Sequence, residues 1–229
     1  AGLMINTLTR ILRTSPGFNP DHLLAMEVRL TGEKYMDATQ QDKTGWNLIQ
    51  PAVGIFCRQA LEHVGRIPGV ESVALVDWLP LSENAEPAFP GFTIAGRAPR
   101  PRAERPSVLL AGVSSNYFGL LGIPIVRGRA ITERDTATAA PVVVINQAMA
   151  RQFWPNQDPV GQTITFDSSP DERPRQIIGI VGNVKRFALV QDQVHLLGDR
   201  HLDAFALRKA DRRVGRGDAL RHHLHAGEN

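Results

Sequence analysis

The period of apolar and polar residues changes several times along the chain, and each change marks an element. Leu24, Met26, Val28 and Leu30 alternate with Ala25, Glu27 and Arg29, which predicts a half-buried strand over 23–30. From about Tyr35 to Ile67 the spacing turns helical, with interruptions near Gly45 and Pro51. Its clearest part sets Phe56, Ala60, Leu61, Val64 and Ile67 on one face and Arg58, Gln59, Glu62 and Arg66 on the other. Pro68-Gly69 ends it. Val70 to Leu79 reads as a second strand, apolar on both faces, so strand, helix and strand follow one another as a βαβ unit.

Beyond a loop over Ser82–Pro90, a short strand runs Phe92–Arg97 and a Pro/Arg-rich connector spans Ala98–Pro106. Ser107–Val113 is a third core strand. Asn116–Leu121 is a short helix carrying Tyr117, Phe118, Leu120 and Leu121, with Gly122 placed for a left-handed C-cap and Pro124 behind it. Val142–Ile145 is an unbroken β-branched run, hence a buried strand, and Asn146 caps a helix that runs to Trp154 and stops at Pro155. Gln162–Phe166 and Gln176–Val184 form a hairpin across the polar 167–174 loop. At the start, Leu3, Met4, Leu8, Ile11 and Leu12 share one helical face, and the breaker cluster Ser15-Pro16-Gly17-Phe18-Asn19-Pro20 closes that segment. It is too short to span a bilayer core of about 30 Å. It reads as an amphipathic first helix or as the outer end of a membrane helix. After about Leu189 periodicity fades, and five of the seven histidines lie in the last 35 residues.

Composition narrows the picture only a little. At 229 residues, 42 % hydrophobic and 21 % charged, the chain has enough apolar material for one good core or two small subdomains. The formal charge of +3 is spread along the chain, as on an ordinary solvated surface. Cys57 is the only cysteine, so there is no intrachain disulfide and no cysteine-based zinc site; its apolar neighbours Ile55, Phe56 and Leu61 suit a buried, inert thiol.

Candidate chemistry is sparse. Gly179-Ile-Val-Gly182 lacks the spacing of a phosphate-binding turn and reads as a strand with small residues, and no P-loop motif occurs. His222-His223-Leu224-His225 has metal-ligand residues but no partner that completes a coordination shell. Ser114 and Ser115 suit an N-cap better than a nucleophile on a turn. Glu133 and Asp135 form a polar turn without the apolar setting that would raise a carboxyl pKa. The pairs Tyr117/Phe118 and Phe153/Trp154 read as core anchors. Arg97, Arg100, Arg102 and Arg105 in the connector suit a solvated linker or an arm for anionic surfaces, with no aromatic residues interleaved for nucleic acid. No catalytic, cofactor-binding or metal residue is assigned. From Ser114 to Gly161 the chain is dense in packing signals and poor in chemistry.

Several segments, in order, resemble the MacB-like periplasmic core domain of FtsX/MacB-type ABC transporter permeases, in the flavour of the duplicated orphan permease group. They are Pro16-Gly-Phe-Asn-Pro-Asp-His-Leu-Leu, Ile67-Pro-Gly-Val-Glu-Ser-Val-Ala-Leu, Leu79-Pro-Leu-Ser, Tyr117-Phe-Gly-Leu-Leu-Gly-Ile-Pro, Arg127-Gly-Arg-Ala-Ile-Thr, Val144-Ile-Asn-Gln-Ala-Met-Ala-Arg-Gln-Phe-Trp-Pro, Asp158-Pro-Val-Gly-Gln and Ile178-Gly-Ile-Val-Gly-Asn-Val-Lys. The resemblance covers about residues 1–189. It implies an α+β fold: a porter-like βαβ subdomain near 22–79 plus 107–128 and a smaller β-rich subdomain near 136–184, preceded by the end of a transmembrane helix. The expected organisation is a membrane-helix end at 1–14, the core domain at 15–189 and a divergent, poorly ordered His/Arg-rich tail at 190–229.

The family's permeases stand in the bacterial inner membrane with this domain on the periplasmic side. A separate ABC ATPase supplies energy, a periplasmic or outer-membrane partner is engaged, and neither cofactor nor nucleic acid is involved. The implied role is non-catalytic, in export or mechanotransmission. Gln41–Val53 looks like an extra stretch, and the residues after about Gln193 lack the family's continuation, as a truncation or frameshift would leave them. The competing class is a soluble, hydrolase-like α/β enzyme using Ser114 or Glu133 beside an unidentified base. A third reading is an anionic-surface binder using Arg97–Arg105.

Overall fold

A computed structural model of the chain describes residues 15–28, 30, 34–41, 47–49, 51–77, 90–98, 100–136, 138–167, 173–184, 195–198 and 204–209. The apolar segment expected at 3–12 and the histidines at 222–225 lie outside these residues.

A small sheet is built from β1 (Leu23–Glu27), β4 (Val70–Val76) and β12 (Ala204–Lys209), in the order β1-β12-β4. Strand β12 runs antiparallel to both neighbours, so β1 and β4 are parallel but separated by one strand. Helix α1 (Pro51–Gly65) connects them and covers the sheet. Val53 and Cys57 are buried against Val73 and Leu75, with Phe56, Ala60, Leu61 and Val64 partly buried beside them. The expected helical face is the packed one except for Ile67, which lies past the helix end and is exposed, and Cys57 is part of this core. The βαβ unit is thus split by a strand from far along the chain. Both β12 and β11 (His195–Gly198) lie beyond residue 189, where a tail outside the core domain was expected.

The helical pattern expected from Tyr35 begins only at Pro51. Before it, β2 (Met36–Gln41) and β3 (Asn47–Ile49) pair antiparallel. Proline explains the sharp start, because its fixed φ suits a first helical turn, where the missing N–H has no partner to lose. The helical periodicity belonged to the 53–64 stretch alone.

The larger sheet has the order β5 (Phe92–Ile94), β9 (Thr163–Phe166), β10 (Arg175–Val181), β8 (Val142–Asn146), β11 and β6 (Leu109–Gly112), and β7 (Ile125–Gly128) also pairs with β10. β8–β10 and β6–β11 are parallel and the other pairings antiparallel, a mixed sheet. Strands β6 and β7 therefore belong with residues 136–184. The resemblance had placed them with the porter-like part, so the β-rich sheet is larger than expected. Overall the chain has the anticipated α+β architecture.

Side chains alternate across this sheet with period two. Val143 and Ile145 of β8, Leu110 of β6 and Ile177 of β10 pack with Met149 of helix α3 (Gln147–Phe153) and with Trp154, its C-cap. On the opposite face, Val144, Leu109, Ala111 and Val181 pack with Tyr117, Phe118, Leu120 and Leu121 of helix α2 (Tyr117–Leu121). Ala74 and Val76 of β4 join this second core, so it lies between the sheets. Val143, Val144 and Ile145 are 0 % exposed, as an unbroken apolar strand requires. Each such side chain contributes roughly 1.5–3 kcal/mol by burial.

Candidate functional site

The two sheets meet where the end of β4 crosses the end of β6. Val76 and Val113 form an antiparallel bridge there. The Ser114 amide donates to the Leu75 carbonyl at 3.0 Å and the Asp77 amide to the Gly112 carbonyl at 3.1 Å. Two side chains complete the clamp. The Ser114 hydroxyl accepts the Leu75 amide at 2.9 Å, and the Asp77 Oδ2 accepts the Gly112 amide at 2.7 Å. Each side chain substitutes for a strand partner at a point where the backbone leaves its own sheet, satisfying an amide that burial would otherwise penalise.

The Ser114 side chain therefore serves the junction and does not cap α2. Its oxygen accepts a backbone amide, and the α2 N-cap position, Asn116, makes no side-chain capping bond. Asp77 had no signal in the sequence, because a lone aspartate after an apolar strand looks like any polar strand end.

The acidic turn is structural in the same sense. Asp135 is gripped by both guanidinium nitrogens of Arg129, at 2.7 and 2.8 Å, and accepts the amide and hydroxyl of Thr132 at 2.8 and 2.9 Å. The Arg129 hydrogen bonds hold the Asp135 carboxyl well below the usual carboxylate range, against the opposing effect of burial, and Asp135 raises the Arg129 pKa in return. A carboxylate held ionised by four donors is a poor general acid or base at neutral pH. Glu133, its proposed partner, is exposed.

The arginine connector is pinned to its own domain. Arg97 donates to the Phe153 carbonyl at the end of α3 and lies over the Trp154 ring, 5.3 Å from its centroid. Arg102 donates to the Asp167 carbonyl at 3.0 Å, and Arg105 pairs with the Asp167 carboxylate at 2.5 Å and donates to the Arg100 carbonyl at 3.0 Å. Three of the four guanidinium groups thus close the β5–β9 end of the sheet, which weighs against an arm for anionic surfaces.

Gly179-Ile-Val-Gly182 lies at the crowded pairing of β7 and β10. Gly179 is opposite Gly128, which has φ +71°; a methyl on Gly128 would overlap the Ile178 carbonyl and one on Gly179 the Arg129 carbonyl. The small residues permit two backbones to approach, and no phosphate turn forms. Two of the three expected caps are in place, the serine N-cap of α2 being the exception. The Asn146 side chain accepts the Met149 amide at 2.9 Å, and Gly122 closes α2 at φ +65°. Tyr117, Phe118 and Trp154 are buried anchors, with Phe153 edge-on to both Phe92 and Trp154. Among the described residues, no cluster of His, Cys, Asp or Glu is set to hold a metal ion, and no helix is long and apolar enough to cross a membrane.

The fold is that of an α+β domain in which Ser114, Asp135, Arg97, Arg102 and Arg105 bond to backbone groups of neighbouring segments. The chain belongs to the family of MacB-like periplasmic core domains, whose family model matches residues 29–209. That match starts later than the resemblance suggested and runs past residue 189 to include β11 and β12.

Among individual relatives, the chain is 31 % identical over 77 residues to a macrolide export ATP-binding/permease protein MacB of Aggregatibacter actinomycetemcomitans, covering 34 % of this chain and 11 % of that protein. It is 31 % identical over 114 residues to a probable syringafactin export ATP-binding/permease protein, SyfD, of Pseudomonas syringae, covering 44 % of this chain and 16 % of that protein. The matched stretches are therefore a small part of each relative. The crystal structure of the periplasmic region of MacB from Actinobacillus actinomycetemcomitans superposes with a TM-score of 0.53 at 16 % identity, covering 90 % of this chain and 82 % of that one. At that identity the likeness is one of fold.

Proposed function

We propose that this chain is a non-catalytic extracytoplasmic domain of an ABC transporter permease, standing on the periplasmic side of the bacterial inner membrane. It takes part in export or mechanotransmission while an ABC ATPase supplies the energy and a periplasmic or outer-membrane protein receives the domain. The observation that carries this reading is the family match over 29–209. The names of the relatives, which couple ATP binding to a permease, support the ATPase partnership. The junction supports the mechanical role, because Ser114 and Asp77 tie the sheets through backbone amides.

The competing enzyme reading makes a different prediction. Purified protein profiled against ester, amide, phosphoester and glycoside substrates is expected to give no turnover above that of the Ser114→Ala and Glu133→Ala variants. Turnover that disappears in either variant would contradict the proposal.

A further inference from the structure

The segment Ser15–Pro20 is more than a break after the first helical pattern. It folds on itself through local bonds: the Gly17 amide donates to Ser15 Oγ at 3.2 Å, the Asp21 amide to Asn19 Oδ1 at 2.9 Å, and the Leu23 amide to the Pro20 carbonyl at 3.3 Å. These turns make a short, stiff strap leading into β1. Its outer contacts are with two helix ends. The Asn19 amide donates to the Leu121 carbonyl at 2.7 Å, satisfying a C-terminal carbonyl of α2 from outside the helix. Gly17, at φ +86°, lies so close to the backbone of Asn183 that a methyl there would overlap the Asn183 carbonyl oxygen and press on Val184. The Asn183 side chain in turn accepts the Ala148 amide at 2.9 Å, in the first turn of α3.

We infer that the 15–20 strap is a coupling device: displacing it loosens the amide cap of α3 through Asn183, and loosening that cap releases the strap. Only glycine fits the contact, on two grounds, the positive φ and the absence of a Cβ. Asn183 packs its backbone against Gly17 and accepts the helix amide with its side chain, so a shift of the strap is transmitted to the cap. Phe18, partly buried against the core between the sheets, keeps the strap seated. The strap precedes β1 in the chain, so a displacement of Ser15–Pro20 reaches α2 and α3 as well as β1. The inference concerns the fold and stands whether or not the domain serves a transporter.

Amide hydrogen exchange on the full chain tests it in both directions, since coupling between two sites is reciprocal. In Gly17→Ala, exchange at Ala148 is expected to rise at least tenfold while Val143–Ile145 of β8 keeps its protection. Wild-type protection at Ala148 beside a freely exchanging strap would overturn the inference. Should Gly17→Ala fail to fold, Asn183→Ala decides from the other side, because it removes the side-chain cap but keeps the carbonyl that Gly17 meets. Faster exchange at Gly17 and Asn19 in that variant is the expected result. Unchanged exchange there refutes the coupling.

Discussion

At the scale of single residues, the clearest constraints are places where one atom more would not fit. Gly128 and Gly69 both have positive φ, but a methyl on Gly128 meets backbone whereas one on Gly69 meets nothing within 4 Å. Gly69→Ala is therefore expected to cost about 1 kcal/mol, the left-handed backbone penalty alone. Gly128→Ala should cost about 3 kcal/mol or more, because β7 must move off β10. Urea unfolding midpoints measure both, and equal losses would contradict the close approach. Asp135 offers a second test. Its carboxyl titrates lower in the folded chain than in the unfolded one, so its contribution is complete above the ordinary aspartate pKa of about 3.9 and fades as the pH falls below it. Asp135→Asn should cost about 1 kcal/mol at pH 7, allowing for solvent around the half-exposed Arg129 guanidinium. The deficit relative to wild type should shrink by pH 3. A deficit of the same size at both pH values would mean that the carboxylate charge is not what holds the turn.

At the scale of elements, what was legible in the sequence was local. Strand β8, helix α3 with its Asn146 cap and helix α2 with Gly122 were all readable because their signals lie within a few residues of the structure they cause. Strand β12 was not, although Phe205 and Leu207 alternate with Ala206 and Arg208. Six residues carry little periodicity, and their partners Leu23–Glu27 and Val70–Val76 are distant in the chain. The junction was half legible. Ser114 was noticed for its hydroxyl, but its role depends on Leu75, 39 positions away, so only the fold could reveal it.

The pairing of β12 makes a direct prediction. A chain ending after residue 203 loses the middle strand of the small sheet, exposing unpaired edges on β1 and β4. It should aggregate or lose protease resistance over 51–76, whereas a chain ending after Lys209 keeps both sheets. Equal resistance of the two would contradict the β1-β12-β4 order.

At the scale of the whole molecule, the two sheets share one core and one hydrogen-bonded clamp, with α1 on the outer face of the smaller sheet and α3 on the outer face of the larger. Such a body can pass a displacement from one sheet to the other through the Leu75–Ser114 and Asp77–Gly112 contacts without any chemical step. This is the mechanical sense in which the domain would serve a permease, and its place relative to the membrane is the claim on which the rest depends. Glu133 is exposed and Cys57, the one cysteine in this sequence, is 7 % exposed, so Glu133→Cys adds an accessible thiol to this domain. The most direct measurement is labelling of Glu133→Cys, in the gene product that carries this chain, by a membrane-impermeant maleimide on intact spheroplasts. Labelling before lysis, in excess of that of wild type, is the predicted result. Labelling that appears only after the inner membrane is broken would place the domain on the cytoplasmic side and contradict the account.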